Sequence, residues 1–173
     1  MKKFLFTLIF IVTANLSFGQ VTLDVFDIAR KGTVEQVKEV LKTNPKAFNV
    51  VNNDGYSPLV LACYRGNNEV AKLLIASGSD INGTSKMGTP LMAAIVKGNN
   101  EMVQVFMEKK ADLEFADGNG VTALIYAVQF QNKTALQLLI DNKANKAHKD
   151  KEGKTAFEHA VFAGNEEIIN LLK

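Results

Sequence analysis

The sequence predicts an all-α fold: a solenoid of stacked helix-turn-helix units joined by short hairpin loops. Three observations carry that expectation. Ser57, Thr89, Thr122 and Thr155 open similar segments spaced 32, 33 and 33 residues apart, a period that marks stacked repeats rather than one closed core. Each opening is helix-initiating, because the hydroxyl can accept from an orphan backbone N–H and Pro58 and Pro90 sit where a missing N–H costs little. Each segment then carries two short apolar runs at helical spacing.

Taken in order, the first copy should hold helices from Leu23 to Lys31 and from Val34 to Lys42. Phe26, Ile28 and Ala29 form its inward face and Gly32 its stop, while Asp24, Asp27, Arg30 and Lys31 face out, as suits a unit with one neighbour. Thr43-Asn44-Pro45 closes the second helix, and Asn52-Asn53-Asp54-Gly55 signals a turn. In the later copies Leu59, Leu91, Leu124 and Phe157 begin the apolar stripe of the first helix. Ala62, Ala94, Ala127 and Ala160 continue it with side chains small enough for close helix approach. Gly66, Gly98 and Gly164 end these helices in a manner suited to a left-handed cap, and Gln131 stands at that place in the third full copy. Second helices follow, with Val70, Leu73, Leu74 and their equivalents apolar. The 32-residue step between Ser57 and Thr89 predicts a clipped finger there. In the last copy Glu158, Glu166, Glu167, Asn170 and Lys173 are expected to make the outer face polar, as a C-terminal cap.

These residues resemble ankyrin repeats. The Thr-Pro-Leu-x-x-Ala-x-x-x-Gly core stands at Thr89 to Gly98, and the Gly-Ala-Asp-Val-Asn ending appears as Gly78-Ser79-Asp80-Ile81-Asn82. The resemblance implies an ankyrin-repeat solenoid of about five copies, at roughly 24–53, 54–85, 86–118, 119–151 and 152–173, over a domain from 20 to 173. The family's usual His after Thr-Pro-Leu is replaced by Val60, Met92, Ile125 and Glu158, so the hydrogen bonds it makes there are expected to be missing.

Residues 1–19 read as a secretory signal peptide. Met1-Lys2-Lys3 is a basic start, Phe4 to Val12 is apolar but for Thr7, and Ser17-Phe18-Gly19 predicts cleavage before Gln20. The run is short of the roughly 20 apolar residues of a membrane span. An exported protein, periplasmic or secreted, is therefore expected, with no membrane insertion after cleavage. Removing Lys2 and Lys3 leaves 18 basic residues against 18 acidic. That balance gives no reason to expect nucleic acid as a partner.

Cys63 is the single cysteine and falls in the small-residue stripe, which reads as a buried inert thiol. His148 and His159 are the two histidines, and only Asp150 lies near His148 as a second metal ligand where three or four must converge. No phosphate loop, nucleophile elbow or His-Glu-x-x-His occurs. The expectation is no enzyme, no cofactor and no metal.

What remains is surface. In ankyrin relatives the concave side, built from fingertips and first helices, is the usual partner-binding face, and the resemblance points to the same place here. Fingertip positions carry Tyr56, Lys86, Met87, Asn119, Val121 and Lys154; the last outward turns of the first helices carry Tyr64, Arg65, Val96, Lys97, Gln129, Phe130 and Phe162. Aromatics and Arg are the residue types that anchor protein interfaces. The expected binding set is Tyr56, Tyr64, Arg65, Met87, Lys97, Val121, Gln129, Phe130 and Phe162, with the alternative that Phe130 and Phe162 pack against neighbouring helices. The expected function is a non-catalytic, monomeric module holding one protein, either an enzyme it protects or a toxin it neutralises. The alternatives are a secreted effector acting on host proteins, a metal-dependent enzyme using a histidine, and a self-associating adaptor.

Overall fold

The computed structural model describes residues 24–86 and 88–173; the leader, Leu23 and Met87 lie outside the described residues. The described residues form ten helices: α1 (Val25–Lys31), α2 (Val34–Thr43), α3 (Pro58–Arg65), α4 (Asn68–Ala76), α5 (Pro90–Val96), α6 (Asn100–Glu108), α7 (Ala123–Gln129), α8 (Lys133–Asp141), α9 (Ala156–Ala163) and α10 (Glu166–Leu172). Consecutive helices pair, the odd-numbered ones stack in one row, and α2, α4, α6 and α8 stack in a second. This is the helical solenoid that the period predicts. Among the described residues the only sheet-like pairings are two isolated antiparallel bridges, Ser85–Gly88 and Ala116–Thr122.

The core runs between the rows. Leu59, Leu91 and Leu124 are each 1% exposed, and Ala62, Ala94, Ala127 and Ala160 are fully buried. Those alanines let the first helices approach closely. Cys63 is buried in the same stripe, and burial pushes its thiol pKa well up, away from the reactive thiolate.

The helix starts follow the sequence in three cases of four. Ser57 Oγ accepts from Val60 N at 3.2 Å, Thr89 Oγ1 from Met92 N at 3.3 Å and Thr155 Oγ1 from Glu158 N at 3.2 Å. Thr122 makes no such bond, and its Oγ1 is buried without a partner. The helix ends also follow: Gly66, Gly98 and Gly164 have φ of 74°, 67° and 64°, and Gln131 is held in the same left-handed region at 51°. Gly32 ends α1 differently. Its backbone is extended, and a Cβ there would stand 2.7 Å from the Ile28 carbonyl oxygen, so close approach and not φ selects glycine.

A second period runs through the sequence. Asn67, Asn99, Asn132 and Asn165 recur with the same 32, 33 and 33 spacing, immediately before the second helices. Three of them cap: Asn99 Oδ1 accepts from Met102 N, Asn132 Oδ1 from Ala135 N and Asn165 Oδ1 from Ile168 N. The Nδ2 groups of the first three reach back to the preceding copy, donating to the Gly32, Cys63 and Ile95 carbonyls at 3.0, 3.4 and 3.4 Å. One asparagine thus starts a helix and ties it to its neighbour.

The expected polar cap on the last copy needs correction. Glu166, Glu167, Asn170 and Lys173 are exposed as expected, but α9 presents Phe157, Val161 and Phe162 at 38%, 51% and 85% exposure. The equivalents of Phe157 and Val161 one copy earlier, Leu124 and Val128, are 1% and 2% exposed because α9 covers them. The last copy keeps the apolar residue types of an internal position where the described chain supplies no covering helix.

Candidate protein-interaction surface

Four loops, at 44–57, 77–89, 109–122 and 142–155, join successive helix pairs and carry the fingers. Three fingers share one construction. An Asx residue opens the turn, a glycine with positive φ closes it, and one side-chain oxygen accepts from two backbone N–H groups. Asn52 Oδ1 accepts from Asp54 N and Tyr56 N, Asp117 Oδ1 from Asn119 N and Val121 N, and Asp150 Oδ1 from Glu152 N and Lys154 N, all between 2.8 and 3.0 Å. The side chain does the work of a backbone turn. The remaining finger is clipped as expected: Ser85 N donates to Gly88 O at 2.9 Å and Gly88 N to Ser85 O at 3.0 Å, with two residues between.

This construction shifts the expected tips by one residue. Tyr56, Val121 and Lys154 accept the closing backbone bond at finger bases, not at tips. Val121 is only 8% exposed, which corrects its placement on the open surface, and Tyr56 is half-buried against the core. Lys86 and Asn119 do lie at tips and are exposed. Met87 lies outside the described residues.

The remaining expected residues sit on the outer turns of the first helices. Arg65, Lys97 and Gln129 are exposed, and Tyr64 is half-buried with Lys97 Nζ 4.7 Å above its ring. That cation–π contact joins two neighbouring copies. Phe130 is 49% exposed and stacks on Tyr126 with ring centroids 6.1 Å apart; Phe162 is 85% exposed with Lys154 Nζ 5.4 Å from its ring. Neither phenylalanine is covered by a neighbouring helix.

Beside this row the last two fingers are braced from the helices. Tyr126 Oη donates to Asp117 Oδ2 at 2.8 Å, and one copy later His159 Nε2 meets Asp150 Oδ2 at 2.6 Å. Burial, then the bond to Asp117, pushes the Tyr126 hydroxyl up to about 12. Burial works against the Asp150 carboxylate, but the bonds from His159 and from the Lys154 and Glu152 N–H groups outweigh it and hold its pKa below the ordinary value. His159 is thus engaged with Asp150 across the finger, and His148 Nε2 lies 2.9 Å from the Gly120 carbonyl. Among the described residues no three His, Cys, Asp or Glu side chains converge as a metal site. Between the braced fingers lies a recess of about 270 Å³, lined by Asp117, Val121, Tyr126, Gln129, Asp150 and His159 among others. It is a polar notch beside an aromatic row.

The family model described as "Ankyrin repeats (3 copies)" matches residues 25–117 and again 106–173. The chain is 36% identical over 59 residues to ankyrin repeat and SAM domain-containing protein 6 of Rattus norvegicus, 34% of this chain and 7% of that protein. It is 38% identical over 69 residues to putative ankyrin repeat protein R96 of Acanthamoeba polyphaga mimivirus, 39% of this chain and 7% of that one. It is 42% identical over 48 residues to the acyl-CoA-binding domain-containing protein 6 homolog of Dictyostelium discoideum, 28% of this chain and 17% of that one. The chain thus spans a small part of the length of each of these proteins. With the family model covering nearly all of the described residues, the chain belongs to the ankyrin-repeat family.

Proposed function

We propose that this protein is an exported, non-catalytic binding module whose five helix pairs act as five ankyrin repeats and hold one protein partner on the odd-helix side. Ankyrin repeats are protein-interaction modules in general, and the chain's membership supports that much directly. The observation that carries the specific surface is the open row of Tyr64, Arg65, Lys97, Gln129, Phe130 and Phe162, with Phe130 and Phe162 left 49% and 85% exposed. Tyr and Arg are among the side-chain types enriched at interface hot spots, and exposed Phe rings offer apolar area for a partner to bury. The partner is an enzyme that the module protects or a toxin that it neutralises, and the module acts as a monomer. Export rests on the sequence of residues 1–19 alone.

Two measurements test this. Tagged protein is used to capture partners from an extracytoplasmic extract, beside a folded Tyr64→Glu/Arg65→Glu/Phe130→Glu variant. One protein recovered by the parent and lost by the variant is expected; equal recovery by both overturns the assigned surface. N-terminal sequencing of the protein from the extracytoplasmic fraction should start at Gln20, and retention in the cytoplasm with an intact leader overturns export.

A further inference from the structure

In each copy from the second to the fourth, three positions of the first helix are buried by the copy that follows. Counted from the capping Ser or Thr they are the second, third and sixth. They hold Leu59, Val60 and Cys63, then Leu91, Met92 and Ile95, then Leu124, Ile125 and Val128, none more than 2% exposed. The first and fifth positions stay buried even in the last copy, where they are Ala156 and Ala160. The helix that covers α7 is therefore one whose buried residues are two alanines, four apart.

In α9 the three covered positions hold Phe157, Glu158 and Val161, and all three are exposed. Two keep an apolar side chain and the third has become a carboxylate. The second helices change sign at the same place. Within the solenoid, the first residue of one second helix donates to the second residue of the next. Asn68 Nδ2 donates to Glu101 Oε2 at 2.5 Å, and Lys133 Nζ to Glu167 Oε2 at 2.7 Å. In α10 that first residue is Glu166, exposed and an acceptor instead of a donor. The open end thus offers an apolar patch with two carboxylates beside it.

We propose that this end is a second docking surface, which takes a basic amphipathic helix of a protein partner stacked on α9 as α9 is stacked on α7. Small residues four apart on the incoming helix allow the close approach that Ala156 and Ala160 allow α9. Its apolar stripe covers Phe157 and Val161, and its Lys or Arg side chains meet Glu158 and Glu166. Apolar burial drives the docking, and the charges set orientation and choice of partner. A second copy of this chain stacked head to tail does not fit. Opposite Glu166 it would bring Glu35, the second residue of α2, and like charges would meet. The proposal rests on the reading that this chain binds a protein, but uses none of the residues in the open row.

The probe is a fluorescein-labelled peptide, Ala-Leu-Lys-Lys-Ala-Leu-Lys-Lys-Ala-Leu-Lys-Lys-Ala-Leu-Lys-Lys, with alanine at every fourth position. It is titrated with the full chain at physiological salt and read by anisotropy. Saturable binding is expected, weakened at least about tenfold in Phe157→Ser/Val161→Ser and about tenfold in Glu166→Lys. Glu166 is exposed, so its replacement makes no demand on the core. The same peptide with Glu for every Lys should not bind. The Tyr64→Glu/Arg65→Glu/Phe130→Glu variant should bind the probe as the parent does, which separates this surface from the open row. Sedimentation of the parent alone should show a monomer. No saturable binding, unchanged affinity in either end variant, binding of the Glu peptide, or a parent dimer lost in Phe157→Ser/Val161→Ser would each overturn the proposal.

Discussion

The junction between the third and fourth loops and the junction between the first and second are built from the same repeat, yet only one is locked. At the third-to-fourth junction Asn145 N donates to Glu114, Lys151 N donates to Asn119 O at 2.9 Å, and His148 Nε2 lies 2.9 Å from Gly120 O. At the first-to-second junction no hydrogen bond of the Asn145–Glu114 kind joins the loops among the described residues, and a cavity lined by Phe48, Val50, Val51 and Leu59 takes its place. Helix stacking is common to both, since α1 and α3 pack as do α7 and α9. Stacking therefore sets the solenoid, and a handful of loop side chains decides which junctions are sealed and which are left open. The seal also holds the fingers that border the aromatic row.

The largest expected contrast lies at the residue that opens the finger. Asp150 gathers two backbone N–H groups and His159, whereas Asn52 at the same position gathers the two N–H groups alone. Asp150→Ala should cost about 3 kcal/mol in chemical denaturation, and Asn52→Ala about 1 kcal/mol, because the carboxylate has one more partner and its charge-assisted hydrogen bonds are stronger than those of a carboxamide. Equal losses would mean that the His159 brace contributes nothing. The pH dependence has a definite sign. The folded pKa of Asp150 is depressed, so its contribution is present above the unfolded carboxylate pKa and is lost as pH falls through the folded one. Stability measured from pH 6 down to below about 4 should fall more steeply in the parent than in Asp150→Asn.

The helix ends give the next effect. Gly98→Val should destabilise by about 1–2 kcal/mol, since a β-branched residue resists the left-handed backbone. Gln131→Gly should be neutral or stabilise by up to about 1 kcal/mol, because a non-glycine residue already holds that conformation. Equal losses in thermal melts would contradict the caps described. The smallest effect is spectroscopic. The difference between the alkaline absorbance titrations of the parent and Tyr126→Phe should have its midpoint near 12, the value set by burial and the bond to Asp117. A midpoint near 10 would show that the Tyr126–Asp117 brace is open in solution.

Most of this architecture was legible in the sequence because it repeats. The Ser/Thr-Pro starts, the alanine stripe, the glycine ends and even the clipped second finger follow from spacing and local chemistry. What escaped was non-local. Asn67, Asn99, Asn132 and Asn165 were visible as a period, but their bonds to the preceding copy depend on how close the copies stand. Tyr126 and His159 sit nine residues from the aspartates they brace, a distance that no helical or strand period connects. The polar cap expected of the last copy named Glu158 on α9 and residues of α10 and beyond, all exposed, but the exposed Phe157, Val161 and Phe162 share α9 with Glu158. Of the surface residues, Val121 and Tyr56 lie at the finger bases and not at the tips because an Asx turn, not a bare hairpin, closes each full finger.

The central claim is that binding belongs to the odd-helix side. The measurement that tests it most directly is calorimetric titration of the captured partner into three proteins: the parent, Phe130→Glu/Phe162→Glu, and a control altered on the even row, Lys72→Glu/Glu101→Lys, whose residues pair with each other between α4 and α6. Affinity should fall at least about a hundredfold in the first variant, two anchors of roughly 1.4 kcal/mol each, and stay within about twofold of the parent in the control. Loss in the even-row control with full affinity in the phenylalanine variant would contradict the account.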